Sequence, residues 1–287
     1  YSKVATVKIA DSTITVGKNT GIGVYTTGDG QTVTSTDTDY VIGEKSFGFI
    51  NENSGSKGNT LTISGTGKKA VLGNEAMFIY TKDANGTVTN SEEIVNEDTT
   101  LGVTSTGKNY GVYSDGTKTV TNSGDITFTA GDGGNVGVYG TGTTAITNSG
   151  KITLGKSQNS NRSIGIVASD STSGTTVITN SGDITVGSSK IDGQYGIGLY
   201  AKGATSTINN SGNITITGND TIGAYAGNTS NINLTAGKTL ITGDTSTGYY
   251  LSGGNNSKIA SGVQIEVAGK ESNGVFADKS TGKLSYE

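Results

Sequence analysis

The chain has 287 residues, 47 of them glycine, with no proline, cysteine, histidine or tryptophan and only 31% hydrophobic residues. The lack of histidine excludes a Ser-His-Asp triad and any histidine-ligated metal, and the lack of cysteine excludes a disulfide framework. The 24 acids outweigh 20 bases, of which Arg162 is the one arginine, so there is no basic patch for nucleic acid; nor is any apolar run long enough to cross a membrane as a helix.

Two phrases recur along the chain. The first is Gly-apolar-Tyr. It starts at Gly23-Val24-Tyr25, weakens at Gly48-Phe49-Ile50 and Phe78-Ile79-Tyr80, and returns as Gly111-Val112-Tyr113 and Gly137-Val138-Tyr139. Gly165-Ile166-Val167 is another weak copy, followed by Gly198-Leu199-Tyr200, Gly223-Ala224-Tyr225, Gly248-Tyr249-Tyr250 and Gly274-Val275-Phe276. The second phrase is Asn-Ser-Gly-x-Ile, beginning at Asn122, Asn148, Asn180 and Asn210, with a degraded copy from Asn90 to Ile94. Its spacings are 32, 26, 32 and 30, and ten copies of the first phrase fall at spacings of 25 to 35. A fixed period in this range marks a solenoid or array.

Within one period, Thr207 to Thr217 alternates Ile with Thr or Asn on both sides of Ser211-Gly212. Alternation at period two predicts half-buried strands, and Thr and Ile suit a pleated surface. Asn-Ser-Gly marks a bend, because Asn and Gly tolerate left-handed backbone. Gly218-Asn219-Asp220 is a second turn, Ile222 to Ala226 a third strand, and Ala226 to Ser230 a third turn. The period is too short for a propeller blade and fits one coil of a parallel β-helix. The expectation is all-β: a single-stranded parallel β-helix of about ten coils of 25–35 residues. Residues 1–287 read as a single β-helical segment of a longer chain, with loop insertions near 169–175 and 188–194.

Residues two apart on a strand share a face. Ile208 inward therefore puts Asn210 inward, and Asn122, Asn148, Asn180 and Asn210 are expected to stack as an internal amide ladder. Ile126, Ile152, Ile184 and Ile214 are expected to stack inside as well. In the third strand, Ile164 and Ile197 are expected inward with Ile166 and Leu199, leaving Gly198 and Tyr200 outward. Tyr25, Tyr80, Tyr113, Tyr139, Tyr200, Tyr225 and Tyr250 would then form an outer row.

Catalytic signatures are weak. Gly150 to Ser157 formally matches a phosphate-binding loop, but its first half is the repeat and Ile152-Thr153-Leu154 is a strand, so the required strand–loop–helix setting is missing. Gly131-Asp132-Gly133-Gly134 is one partial copy of a calcium-binding turn. Asp37 with Asp39, or Glu92 with Glu93, are the acid pairs available to a β-helical carbohydrate-active enzyme. Departures from the repeat are the better candidates for contact with a partner. One is the acidic coil holding Glu92, Glu93, Glu97 and Asp98, which could attract cationic groups. The other is the pair of insertions with Arg162, Asp170, Lys190 and Asp192. No metal and no cofactor is expected.

The phrases TNSGDITF, ITNSGKITL, ITNSGDITV and INNSGNITI, interleaved with YGVYS, VGVYG and IGLYA, resemble passenger repeats of Gram-negative type V autotransporters. The likeness is clear over residues 76–287 and loose over 1–75. With lysine far above arginine and much Asn and Ile, the chain looks like the large fusobacterial outer-membrane autotransporter adhesins, the RadD-like group. The resemblance implies a right-handed parallel β-helix exported through a β-barrel to the bacterial surface. It implies a non-enzymatic adhesin segment whose partners are host-cell or bacterial surface proteins or glycans. The Gly-Asp-Ser-Gly motif of serine-protease autotransporters is absent. The segment is expected to be a monomer and not to touch the membrane. The rival readings are a purely structural stalk and a carbohydrate-active enzyme.

Overall fold

The computed structural model describes residues 5–142, 144–157, 161–170, 174–188, 195–253, 256–278 and 285–286. Their strands form three parallel sheets of eleven, ten and ten strands. Each turn of the chain gives one strand to each sheet. The coil predicted above contains Ser206–Asn210 in the first sheet, Ile214–Ile216 in the second and Thr221–Gly227 in the third. The next coil stacks on it in register, Ile208 on Ile232 and Tyr225 on Tyr250. The chain is thus a parallel β-solenoid of about ten coils, and no described residue is helical.

The interior is built from the repeat. Ile126, Ile152, Ile184 and Ile214 pair in succession and are at most 1% exposed. Each contributes about 1.5–3 kcal/mol by leaving water. Asn90, Asn122, Asn148, Asn180 and Asn210 stack at the corner between the first and second sheets. The side-chain amide of Asn122 donates to Asn148 Oδ1 at 2.8 Å and to Gly124 O at 2.8 Å. Asn148 and Asn180 repeat both bonds. Each buried amide from Asn90 to Asn180 therefore joins its own bend to the next coil, and Asn210 ends the ladder with the bond to its own bend alone, which is why the position is polar. Glycine follows because the bends lie on top of one another: a Cβ on Gly124 would sit 1.9 Å from Glu92 O.

The third sheet departs from simple alternation. Its pairings run Ile197 to Ile222 and Leu199 to Ala224, with the intervening glycine left out of the register. That glycine faces inward, not outward. A Cβ on Gly111 would meet Ile126 Cδ1 at 3.0 Å, and one on Gly198 would strike Gly223 O at 2.5 Å. Phe78, which replaces this glycine, is fully buried. Two consecutive residues, Gly198 and Leu199, thus point to the core, as in a β-bulge. Ile164 and Ile197 are consequently displaced to the outer face, contrary to the alternating expectation. They belong to the row Ile22, Phe47, Met77, Tyr110, Val136, Ile164 and Ile197.

Candidate functional site

The bulge gives the third sheet two apolar outer rows, three residues apart. Tyr110 and Tyr113 show this directly, with ring centroids 6.0 Å apart on the same face. The second row runs Tyr25, Ile50, Tyr80, Tyr113, Tyr139, Val167, Tyr200, Tyr225, Tyr250 and Phe276. Parallel strands lie about 4.8 Å apart, so in-register rings meet face to face. Tyr113 and Tyr139 are 4.5 Å apart and 3° from coplanar, and Tyr225 and Tyr250 are 5.1 Å and 15°. Tyr80 with Tyr113 and Tyr200 with Tyr225 continue the stacks at 5.6 and 5.4 Å. Mutual burial pushes the Tyr113 hydroxyl up to about 12, with Tyr139 adding to the rise. Within a stack each ring covers its neighbours' faces, leaving mainly edges and hydroxyls exposed.

Ile50 and Val167 interrupt the row. They differ in accessibility. Val167 is 3% exposed, closed over between Tyr139 and Tyr200. Ile50 is half-buried and floors a cavity of about 350 Å³ lined by Ile22, Tyr25, Phe47, Glu52 and Tyr80. Tyr25 forms one side, 54% exposed, with its hydroxyl donating to Glu52 Oε2 at 3.1 Å. Glu52 also borders a second, polar cavity of about 500 Å³ with Asp29, Asn53 and Lys82. Lys82 is held by Asp115 at 2.8 Å.

The acidic coil does not form one exposed patch. Glu92 is fully buried, and neither carboxylate oxygen has a well-formed hydrogen bond, the Thr38 backbone N–H acting on it only weakly. It occupies the bend position of Gly124 and points into the corner; its Oε1 is 3.1 Å from where a Cβ on Gly65 would lie. Burial, then Asp39, pushes its pKa up to about 7. Asp98 is 7% exposed and paired with Lys69, which holds its carboxyl well below the usual range. Glu93 and Glu97 alone are exposed.

Asp98 serves a local element that sequence reasoning missed. Glu97–Asp98 and Val103–Thr104 form an antiparallel hairpin, the one antiparallel pair among the described residues. Ser105 N donates to Asn96 O at 3.0 Å and closes its base. Asp98 Oδ1 accepts from Thr100 N at 2.8 Å and Leu101 N at 3.2 Å, fixing the turn. A signal existed on the second sheet's outer face. Val41, Val71 and Val95 stand in register where later coils carry Thr127, Thr153, Thr185 and Thr215. Val71, although on the outer face, is fully buried.

Of the insertion residues, Arg162 is exposed before the strand Ile164–Ser169 and Asp170 follows that strand. At about 3.3 Å per residue the two are up to roughly 26 Å apart along the chain. Asp170 is engaged between coils, accepting from Ala204 N at 2.9 Å. Lys190 and Asp192 lie outside the described residues, as do 171–173 and the rest of 189–194.

Residues 32–246 match the family described as BigA third pectate lyase-like domain. The chain belongs to this family. No curated protein and no solved structure matches it. The matched span covers the Asn ladder, the hairpin and the outer rows from Phe47 and Ile50 to Tyr225, with Ile22 and Tyr25 before it. Membership agrees with a passenger-type β-helix.

Proposed function

We propose that this chain is a non-enzymatic adhesin segment on a bacterial surface, part of the passenger of an outer-membrane autotransporter of the fusobacterial type. It attaches the cell to host cells or to other bacteria through surface proteins or glycans, and acts as a monomeric rod away from the membrane. The observation that carries this reading is the outer aromatic face of the third sheet. A stalk has no need of apolar side chains left open as Ile22 and Tyr25 are, 45% and 54% exposed, and contact surfaces are enriched in Tyr. The regular coils with outer Thr fit a supporting shaft for the contact region.

The lyase-like wording of the family description raises the enzyme reading. The acid pairs support it poorly. Glu92 faces the interior and Glu93 the solvent, on opposite sides of one wall. Asp39 is bound by Lys68 Nζ at 2.9 Å and Lys69 N at 3.2 Å. The test is attachment of beads coated with the chain to epithelial and bacterial cells. Attachment blocked by excess soluble chain, with no cleavage of polygalacturonate, is the expected result. Attachment no better than that of albumin-coated beads, or release of unsaturated uronides, would contradict it.

A further inference from the structure

We infer that the break in the aromatic row at Ile50 is a binding subsite for one neutral pyranose of a glycan, held between Tyr25 and Tyr80. The inference rests on the adhesin reading and names the ligand class of its contact face. Elsewhere in the row the rings stack on each other, and their faces are not free for a ligand. At Ile50 one ring is missing from the series, and the space it leaves is an open cavity of about 350 Å³. Tyr25 and Tyr80, the neighbours of the missing ring on either side, both line it.

The width of the gap favours a sugar over a flat ring. Tyr25 and Tyr80 are two coils apart, roughly 9.6 Å along the stack. An aromatic ring in van der Waals contact on both sides, at about 3.5–4.0 Å each, needs walls only about 7–8 Å apart. A pyranose is thicker, because C–H bonds stand off both faces, and those bonds meet the electron-rich ring faces favourably. Ile22 and Phe47 close one side with apolar surface. The other side opens over Glu52 towards Asp29, Asn53 and Lys82, where hydroxyls of the same or the next sugar find partners. A carboxylate only accepts, and Glu52 receives just one hydroxyl, that of Tyr25, so it has capacity for a sugar hydroxyl. Lys82 is neutralised by Asp115. Glu52 and Asp29 outnumber the remaining lysine beside them, Lys57, whose backbone N–H donates to Asp29, so the rim keeps a net negative charge, which disfavours sialic and uronic acids. The second interruption makes the contrast: Val167 is 3% exposed and offers no such opening.

Saturation-transfer NMR on the whole chain tests this, using lactose, chitotriose and maltotriose as neutral probes and sialyllactose as the acidic one. Irradiating the aromatic protons should transfer saturation to the ring C–H protons of at least one neutral probe, and not to the sialic acid of sialyllactose. Ile50→Tyr completes the row and fills the gap; it should weaken binding by about tenfold or more, the size expected for loss of a buried stacking contact. Tyr25→Ala, at an exposed position outside the packed core, should weaken binding similarly. Tyr225→Ala leaves the gap intact and should bind as the parent does. No transfer to any neutral probe, or transfer unchanged in both Ile50→Tyr and Tyr25→Ala, would overturn the inference. Equal transfer to the sialic acid would overturn its selectivity for neutral sugars. Bead attachment persisting without sugar binding would overturn this inference and leave the adhesin reading standing; loss of attachment itself would remove both.

Discussion

The coils before Tyr110 and those after it fill the same triangular interior with different side chains. From Tyr110 to Ile216 the fillers repeat: Asn at one corner, Ile on the second sheet, glycine at the bulge; in the coils beyond, Leu234 and Thr239 take the Asn and Ile places. In the earlier coils the corner row changes from Asn90 to Ile63 and Ser35, and the Ile row changes to Ala70 and Tyr40. Phe78 replaces a glycine. Tyr40, Phe49 and Phe78 meet edge to face, with centroids 5.1, 5.4 and 5.5 Å apart. Small Ala70 leaves volume for its large neighbours, so the core stays filled. The outer features gather on these same irregular coils: the hairpin, the buried Glu92 and the open break at Ile50. A repeat cannot define a unique place on its own surface, whereas a departure from it can.

Four substitutions probe this contrast, in order of decreasing effect. Ile184 is fully buried between Ile152 and Ile214. Ile184→Asp leaves a carboxylate in the regular core and should cost at least about 4 kcal/mol in urea unfolding. An unchanged midpoint would mean that this row is not interior. In the irregular half, Glu92 already places a carboxyl inside. Its folded pKa of about 7 lies above the ordinary 4.5, so the native state favours the protonated form. The contribution of Glu92 to stability should therefore be greatest below pH 4.5, fall as pH rises to about 7, and level off beyond, by on the order of 3 kcal/mol in total, while Asp98, held low, acts the other way only in stronger acid. Burial is the main cause; Asp39 and Asp37 add to it, and the Thr38 backbone N–H and Lys68 oppose it. Glu92→Gln should remove this slope and raise the melting temperature at pH 8. A slope unchanged in the variant would place the titration elsewhere.

Asn148→Ala removes the middle of the amide ladder. It should cost about 1–3 kcal/mol, because the Asn122 amide loses its acceptor in a buried corner. Tyr225→Ala removes one half-buried outer ring between Tyr200 and Tyr250 and should cost only about 1 kcal/mol. A larger loss would show that the outer rows are structural and not free for contact.

The regular half was legible because its signals are local and repeated. Asn-Ser-Gly-x-Ile placed both the ladder and the Ile row, and Gly-apolar-Tyr placed the outer rings. Strict alternation failed at Ile197 and Gly198, since a bulge puts two neighbours on one face and the glycine is small for steric reasons across coils. Glu92 and Asp98 read as a surface patch because runs of acid are usually solvated. Aligning Glu92 with Gly124 would have placed it at the packed bend, though not its inward orientation. The hairpin needed knowledge of what covers Val71, which is a tertiary fact. Ile50 stood out as a missing Tyr, but only the structure separates its open gap from the closed one at Val167.

The central claim is that contact belongs to the irregular coils and support to the regular ones. Attachment of coated beads to cells tests it most directly, comparing Tyr25→Ala/Ile50→Tyr with Tyr200→Ala/Tyr225→Ala on otherwise intact chains of equal melting behaviour. The first pair of changes should lower attachment by about tenfold, in line with loss of a stacking contact, and the second should leave it near the parent level. Attachment lost only in the second variant, or equally in both, would contradict it.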